Sequence, residues 1–212
     1  MGASLKKQAV IFGSAPGNDW SFLRNYLRSD AAVICADGGR NTAEGLGLAP
    51  DWYVGDDDSG GHAGNCPADL LPSEKDVTDL DMAVSRALKE GYQELLLCGC
   101  TGGRQDHHFS AVGQLERIWR AGAQGMILDP WNEIKLLTPG RTEVPHHPHY
   151  HYFGIVPLDQ KLERVTITGA KYEIQQVNLY RWESLGISNE CIPGQPCMID
   201  VESGIGLLIR SN

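Results

Sequence analysis

The chain reads as an α/β protein: an N-terminal domain on a doubly wound, mainly parallel sheet, followed by a smaller all-β sandwich domain. Three observations predict this. Short apolar runs alternate with helical patterns as far as Pro139, the order expected of strand–helix–strand units. Beyond that point no helical period appears, and runs of β-branched and aromatic residues are separated by Pro, Gly and Asn. At 212 residues, with 42% hydrophobic and 21% charged residues, the chain can bury a sizeable core and is far from a disordered composition.

The elements follow in order. Gln8–Gly13 is an apolar run that stops at Ser14-Ala15-Pro16-Gly17, so it predicts a strand opening onto a loop. Trp20–Ser29 carries Phe22, Leu23, Tyr26 and Leu27 at helical spacing; Ala31–Ala36 predicts a buried strand, Thr42–Leu46 a short helix and Trp52–Gly55 a strand. Thr78-Asp79-Leu80-Asp81 has the form of a capping box, opening a helix with Met82, Ala83, Ala87 and Leu88 inward and Gly91 as its stop. Glu94–Cys100 is a strand, His107–Ala121 a helix, and Gly125–Asp129 and Glu133–Leu137 two further strands. In the second half, strands are expected at Tyr150–Val156, Arg164–Thr168, Cys197–Val201 and Gly206–Ile209. Thr138–Pro148 is the expected linker, giving an α/β domain over 1–139 and a β domain over 145–212.

Charge narrows the function. Eighteen basic residues against 27 acidic ones leave a net charge of −9, and no basic cluster offers a surface to nucleic acid or to an anionic membrane. No apolar run approaches the roughly 18 residues of a membrane span, and the apolar stretch after Lys6-Lys7 is too short for a secretion signal. A cytoplasmic protein is expected. The six cysteines lack CxxC spacing and mostly sit in apolar runs, as reduced core residues do.

In a doubly wound sheet, ligands bind outside the carboxyl ends of the strands. Acids collect there. One strand ends in Asp37-Gly38-Gly39 and the next in Asp56-Asp57-Asp58-Ser59; Asp76 and Asp79 flank a helix start; Glu94–Cys100 runs into Gly102-Gly103-Arg104-Gln105-Asp106-His107. Two carboxylates about 4 Å apart repel by roughly 4 kcal/mol at an effective dielectric near 20, so such a cluster calls for protons or a cation. An all-oxygen donor set suits Mg²⁺ completed by substrate phosphates. Taken alone, an Asp beside a helix start such as Asp79 is more often a cap than a ligand, and an Asp-rich turn is usually a solvated one. Asp56 and Asp58 gain a metal role from their i, i+2 spacing at a strand end beside the other acids. An EF-hand is excluded, since the position eleven after Asp56 is Pro67.

Gly102-Gly103-Arg104 offers close backbone approach to a phosphate and a planar fork for its oxygens, although two glycines and an arginine also make an ordinary turn. His107 fits either a helix-start histidine or a catalytic one. His146-His147-Pro148-His149-Tyr150-His151 could be a metal-binding tract of a cupin-like module, but no His follows His151 to complete such a set.

Ala36-Asp37-Gly38-Gly39, Gly55-Asp56-Asp57-Asp58-Ser59, Lys75-Asp76-Val77-Thr78-Asp79, Gly102-Gly103-Arg104-Gln105-Asp106-His107 and Ser188-Asn189-Glu190 resemble the thiamine pyrophosphokinases in order and spacing. The resemblance covers nearly the whole chain and implies an α/β domain followed by a β-sandwich domain. It implies transfer of the pyrophosphoryl group of ATP to the hydroxyethyl oxygen of thiamine, releasing AMP. Asp56, Asp58, Asp76 and Asp79 would then hold Mg²⁺ and the triphosphate, with Arg104 and Asp106 completing the catalytic set. Asp37, Asn41, Gly102, Gly103, Arg104, Asp106 and His107 would hold ATP, and Ser188 and Asn189 would face thiamine. It also implies a homodimer with the site at the subunit interface. Asp57, Ala111 and Gly154 stand where Phe, Asn and Ser are common in that family. A pterin alcohol as acceptor, or a non-catalytic sensor of nucleotide and metal, would use the same acids.

Overall fold

The computed structural model describes residues 7–15, 17, 19–55, 66–70 and 76–212. The chain divides into two compact units, Met1–Pro130 and Trp131–Asn212.

In the first unit, strands β1 (Gln8–Phe12), β2 (Ala32–Ala36), β3 (Trp52–Gly55), β4 (Ala68–Leu70), β5 (Glu94–Cys98) and β6 (Gln124–Leu128) lie in the order β4-β3-β2-β1-β5-β6. Every described pair among them is parallel. Ala9, Val10, Ile11 and Phe12 are fully buried, because helices cover both faces of a parallel sheet and leave no solvated side. The helices are α1 (Gly39–Gly45), α2 (Asp79–Lys89) and α3 (Gln105–Arg120). Val10, Phe12, Val33 and Cys35 pack with Trp20, Leu23 and Ala43 in one core cluster. Leu115 and Ile118 of α3 close over Gly125 of β6, where even a Cβ would come within 3.1 Å of them.

Local chemistry sets the helix ends. Thr78 Oγ1 accepts from Asp81 N–H at 3.2 Å, the expected cap of α2, and Gly91 ends that helix at φ +78°, where a side chain would be strained. Arg86 of α2 stacks 3.5 Å over the Trp52 ring, while Trp52 Nε1 donates to Asp69 at 3.1 Å. Arg117 of α3 reaches Asp81 Oδ1 at 2.8 Å and Ser85 Oγ at 2.8 Å, and Gln114 donates to Asp81 Oδ2 at 3.2 Å. These bonds fix the start of α2 against α3.

The second unit is a β-sandwich. One layer is β7 (Asn132–Leu137), β13 (Gly206–Ser211) and β9 (Tyr152–Pro157); the other is β11 (Ile174–Tyr180), β10 (Lys161–Thr168), β12 (Cys197–Val201) and β8 (Gly140–Val144), all antiparallel. Alternate residues point inward, so Leu137, Phe153, Ile155 and Leu208 of one layer meet Val144, Leu162, Val165, Ile167 and Ile199 of the other. Across β7 and β13 the buried Arg210 donates through Nε to Glu133 Oε1 at 2.8 Å, and Lys135 joins at 2.9 Å. Burial raises the affinity of the Glu133 carboxyl for its proton, but the two cations outweigh it and hold the carboxyl below its ordinary range.

The architecture is the predicted one; several bounds differ. The two compact units divide at Pro130/Trp131, and β7, on the C-terminal side of that division, pairs along its whole length with β13 at the far end of the chain. The expected linker Thr138–Pro148 contains β8, whose partner β12 is some sixty residues away. Trp20–Ser29 forms only a 3₁₀ turn at Ser21–Asn25, α1 begins three residues earlier than expected, and α3 two. Strands β4, β8 and β11 had no counterpart among the sequence expectations.

Candidate functional site

Strand order creates a switch point. The chain winds outward from β1 through β2 to β4, then returns to place β5 on the other side of β1, so the connections that leave β1 and β5 run on in opposite directions along the sheet. A cavity of about 420 Å³ lies there. Its walls are Gly13, Ser14 and Ala15 after β1, Ala36 and Asp37 at the end of β2, Gly99 and Cys100 after β5, and the first turns of α2 and α3.

Two glycines make the crossing possible. A Cβ on Gly13 would sit 2.6 Å from the Gly99 carbonyl oxygen, and one on Gly99 would sit 2.4 Å from that of Gly13. Gly13 N–H donates to Cys98 O at 2.7 Å and Ala15 N–H to Gly99 O at 2.9 Å, so the two strand ends are held together as one wall. Cys100 contributes a thiol to that wall. It donates to Cys98 O at 3.3 Å, and burial pushes its pKa up to about 12, which removes it as a nucleophile near neutrality.

Asp37 is the residue held under most constraint. Its backbone is left-handed at φ +50°, its N–H is bonded to Val54 O at 2.9 Å, and its Oδ1 is buried with no hydrogen-bond partner among the described residues. A carboxylate oxygen so placed at a cavity wall can accept from a ligand hydroxyl or take a cation. Asp79, the first residue of α2, lines the same cavity. Both supply hard oxygen donors, the chemistry Mg²⁺ takes. Among the described residues no three His, Cys, Asp or Glu side chains gather closely enough to hold a metal by themselves. Asp56 and Asp58 lie outside the described residues.

Gly103, Arg104, His107 and Ser110 bring the start of α3 to the cavity. Arg104 is 72% exposed and forks onto Asp106, with Nε to Oδ1 at 3.2 Å and Nη2 to Oδ2 at 2.6 Å. Asp106 also accepts from His107 N–H at 3.0 Å, favourable at a helix start. Arg104 therefore holds the Asp106 carboxyl below its ordinary range, and the carboxylate raises the guanidinium in turn.

Of the sequence candidates, Asp37, Asp79, Gly103, Arg104 and His107 meet at this cavity. Asp106 reaches it through Arg104. Asp76 and Asn41 are exposed and, with Gly102 at φ +80°, lie outside its lining. Gly13, Ser14, Ala15, Cys100 and Ser110 were not among the candidates. The strand-end rule that selected the aspartates applies equally to Gly13–Ala15 after β1, and that was the available signal.

Ser188 and Asn189 belong to the second unit. Ser188 is exposed on a cleft of about 280 Å³ with Tyr152, Gly154, Ile187 and Ser211. Asn189 is 3% exposed and turned into the backbone. In the histidine tract, the His147 and His149 rings each lie 4.9 Å from that of Tyr150.

Two family models match the chain: the catalytic domain of thiamin pyrophosphokinase over residues 23–127, and the vitamin B1 binding domain of thiamin pyrophosphokinase over 141–206. A curated thiamine pyrophosphokinase of Bacillus subtilis is 28% identical over 212 residues, covering 97% of this chain and 99% of its own length. The crystal structure of a B. subtilis thiamine pyrophosphokinase superposes with a TM-score of 0.88 at 26% identity, over 97% of this chain and 99% of that one. That of a Geobacillus thermodenitrificans thiamin pyrophosphokinase does so at 0.84 and 28%, over 96% and 97%. Two successive domain models of one enzyme, matched in order onto the two units, place this chain in the thiamin pyrophosphokinase family, whose members form thiamine diphosphate by pyrophosphoryl transfer.

Proposed function

We propose that this chain transfers the β,γ-pyrophosphoryl group of ATP to the hydroxyethyl oxygen of thiamine, giving thiamine diphosphate and AMP. The observation that carries the proposal is the switch-point cavity, where Asp37 presents a buried, unpartnered carboxylate oxygen beside Asp79 and Arg104. Family membership supplies the acceptor and the reaction class.

Asp79 and Asp76, with Asp56 and Asp58, would hold Mg²⁺, which supplies charge neutralisation to the triphosphate when bound. Arg104 takes phosphate oxygens in its planar fork, releasing Asp106. Asp37 orients the nucleotide, Gly103 and the Gly13–Ala15 turn let the phosphates come close to the main chain, and Asn41, Gly102 and His107 flank the same region. In-line displacement at the β-phosphorus needs positioning and electrostatic stabilisation more than covalent chemistry, which agrees with the unreactive Cys100 thiol. An aspartate of the cluster accepts the hydroxyl proton of the acceptor. The acceptor site lies at Ser188, beside Asn189. The enzyme works in the cytoplasm as a homodimer in which the subunits complete each other's site, and static light scattering of the active protein at the monomer mass would count against this.

The deciding experiment incubates the protein with ATP, Mg²⁺ and either thiamine or a pterin alcohol, and follows AMP. AMP with thiamine alone is expected. AMP with the pterin alone would transfer the same mechanism to another acceptor, and nucleotide binding without AMP would make the chain a sensor.

A further inference from the structure

We infer that Asn189 is a positioning residue that acts on the acceptor through Ser188, and does not itself read the acceptor; the inference rests on the proposed acceptor site at Ser188. Asn189 has little left to offer a ligand. Its side-chain carbonyl accepts from Tyr172 N–H at 3.0 Å and from Glu190 N–H at 2.9 Å, which fills both lone pairs. Its amide nitrogen donates to Tyr172 O at 2.8 Å. The main chain is equally engaged, with Asn189 N–H on Phe153 O at 2.9 Å and Phe153 N–H on Asn189 O at 2.8 Å. At 3% exposure, one amide hydrogen remains and faces no open surface.

The residue before it explains why such a clamp is present. Ser188 is left-handed at φ +58°, a conformation costly for any side chain and kept only where the surroundings over-determine it. On its C-terminal side the over-determination is Asn189: five hydrogen bonds tie that one residue to β9, to Tyr172 and to Glu190. Lys171 N–H on Glu190 O at 2.9 Å extends the tie, and on the other side Ile155 N–H holds Gly186 O at 2.8 Å. Between these two anchors the Ser188 hydroxyl stands exposed on the cleft formed with Tyr152, Gly154 and Ile187. Loosening Asn189 would let Ser188 relax out of the left-handed region and move its hydroxyl away from the acceptor.

A double-mutant cycle tests this, with KM for thiamine, kcat and the melting temperature measured for wild type, Asn189→Ala, Ser188→Ala and the double variant. Asn189→Ala is expected to raise KM for thiamine about ten- to a hundredfold with kcat little changed. Ser188→Ala should do likewise, and the double variant should be no worse than Ser188→Ala alone. The inhibition constant of the thiamine analogue with a carbonyl in place of the pyrimidine amino group should weaken by the same factor as thiamine in Asn189→Ala. Losses that multiply in the double variant, or an analogue whose binding is untouched while thiamine weakens, would mean Asn189 reads the amine directly. A folded Asn189→Ala with unchanged KM would equally overturn the inference. If that variant does not fold, Asn189→Asp, which keeps both acceptor bonds and loses the donor, enters the same cycle under the same criteria. A Ser188→Ala with wild-type KM is a different failure: it removes the acceptor site from this cleft, and the role of Asn189 with it.

Discussion

Asp37→Asn should move stability and nucleotide affinity in opposite directions. The substitution keeps the shape of the side chain, removes its charge, and is tolerated at φ +50° because asparagine visits the left-handed region readily. In the ligand-free protein the buried Oδ1 has no donor among the described residues, and a buried unsatisfied polar group costs about 1–3 kcal/mol, more when charged. Neutralising it should therefore raise stability by about 1 kcal/mol, or a melting temperature roughly 2–4 °C higher for a chain of this size. The proposed nucleotide site would lose an anionic acceptor, and a loss of about 1.4–2.8 kcal/mol there is a ten- to hundredfold weaker dissociation constant. Differential scanning fluorimetry without ligand and calorimetric titration of a non-hydrolysable ATP analogue with Mg²⁺ read the two effects separately. A variant that melts lower and binds the analogue as wild type does would make Asp37 a structural residue and break the link between its unsatisfied oxygen and the ligand.

Other expectations follow from the same geometry. Asp56→Asn and Asp58→Asn should each abolish turnover in a steady-state assay while the fold is retained, and near wild-type rates at saturating Mg²⁺ would remove them from the metal set. Arg104→Lys keeps charge but loses the two-pronged contact, so kcat should fall along with a rise in KM for ATP; a change in melting temperature alone would make the arginine structural. Glu133→Gln leaves buried Arg210 short of its counter-charge, a loss on the order of 3–5 kcal/mol by chemical denaturation. Because the Glu133 carboxyl is held below its unfolded value of 4.5, its stabilisation is present above that pH and lost as pH falls through the lower folded value, so the variant should show a flatter acid limb.

What could be foreseen followed from how local the cause was. The α2 start needed only Thr78 and Asp81, three positions apart, and its end only Gly91; both are where the sequence puts them. β8, with the sequence Gly-Arg-Thr-Glu-Val, is a strand because β12 pairs with it and buries Val144, and nothing within its five residues announces that partner. β11 carries Gln175, Gln176 and Asn178, a polar run made a strand by β10. Gly13–Ala15 sits at a strand end that the sequence did show, but its joining to Gly99 as one cavity wall depends on β5 lying beside β1. Ser-Asn in a β-rich segment reads by itself as a turn, and only the family resemblance implied recognition side chains; that the Asn189 carbonyl is filled by Tyr172 and Glu190 depends on packing and not on residue type.

Charge around the cavity decides the form in which nucleotide can enter. Among the described residues lining it, Arg104 is the sole arginine or lysine, and it is already matched by Asp106, while Asp37 and Asp79 add negative charge. The chain as a whole carries −9. A triphosphate approaching a carboxylate to about 4 Å meets repulsion of roughly 4 kcal/mol per charge pair at an effective dielectric near 20. One arginine fork cannot offset several such pairs. On the proposed function the nucleotide is therefore expected to arrive with its own cation, the metal–nucleotide complex being the species bound. Titrating the non-hydrolysable analogue into protein held in EDTA should show binding at least about a hundredfold weaker than with Mg²⁺, the equivalent of about 2.8 kcal/mol. Raising salt should recover part of that loss without the metal, since screening acts on exposed charges such as Arg104 and Asp106. Tight binding of the metal-free analogue at low salt would mean that cationic groups beyond the described lining neutralise the triphosphate, and that the acids at the strand ends serve some other end than holding a cation.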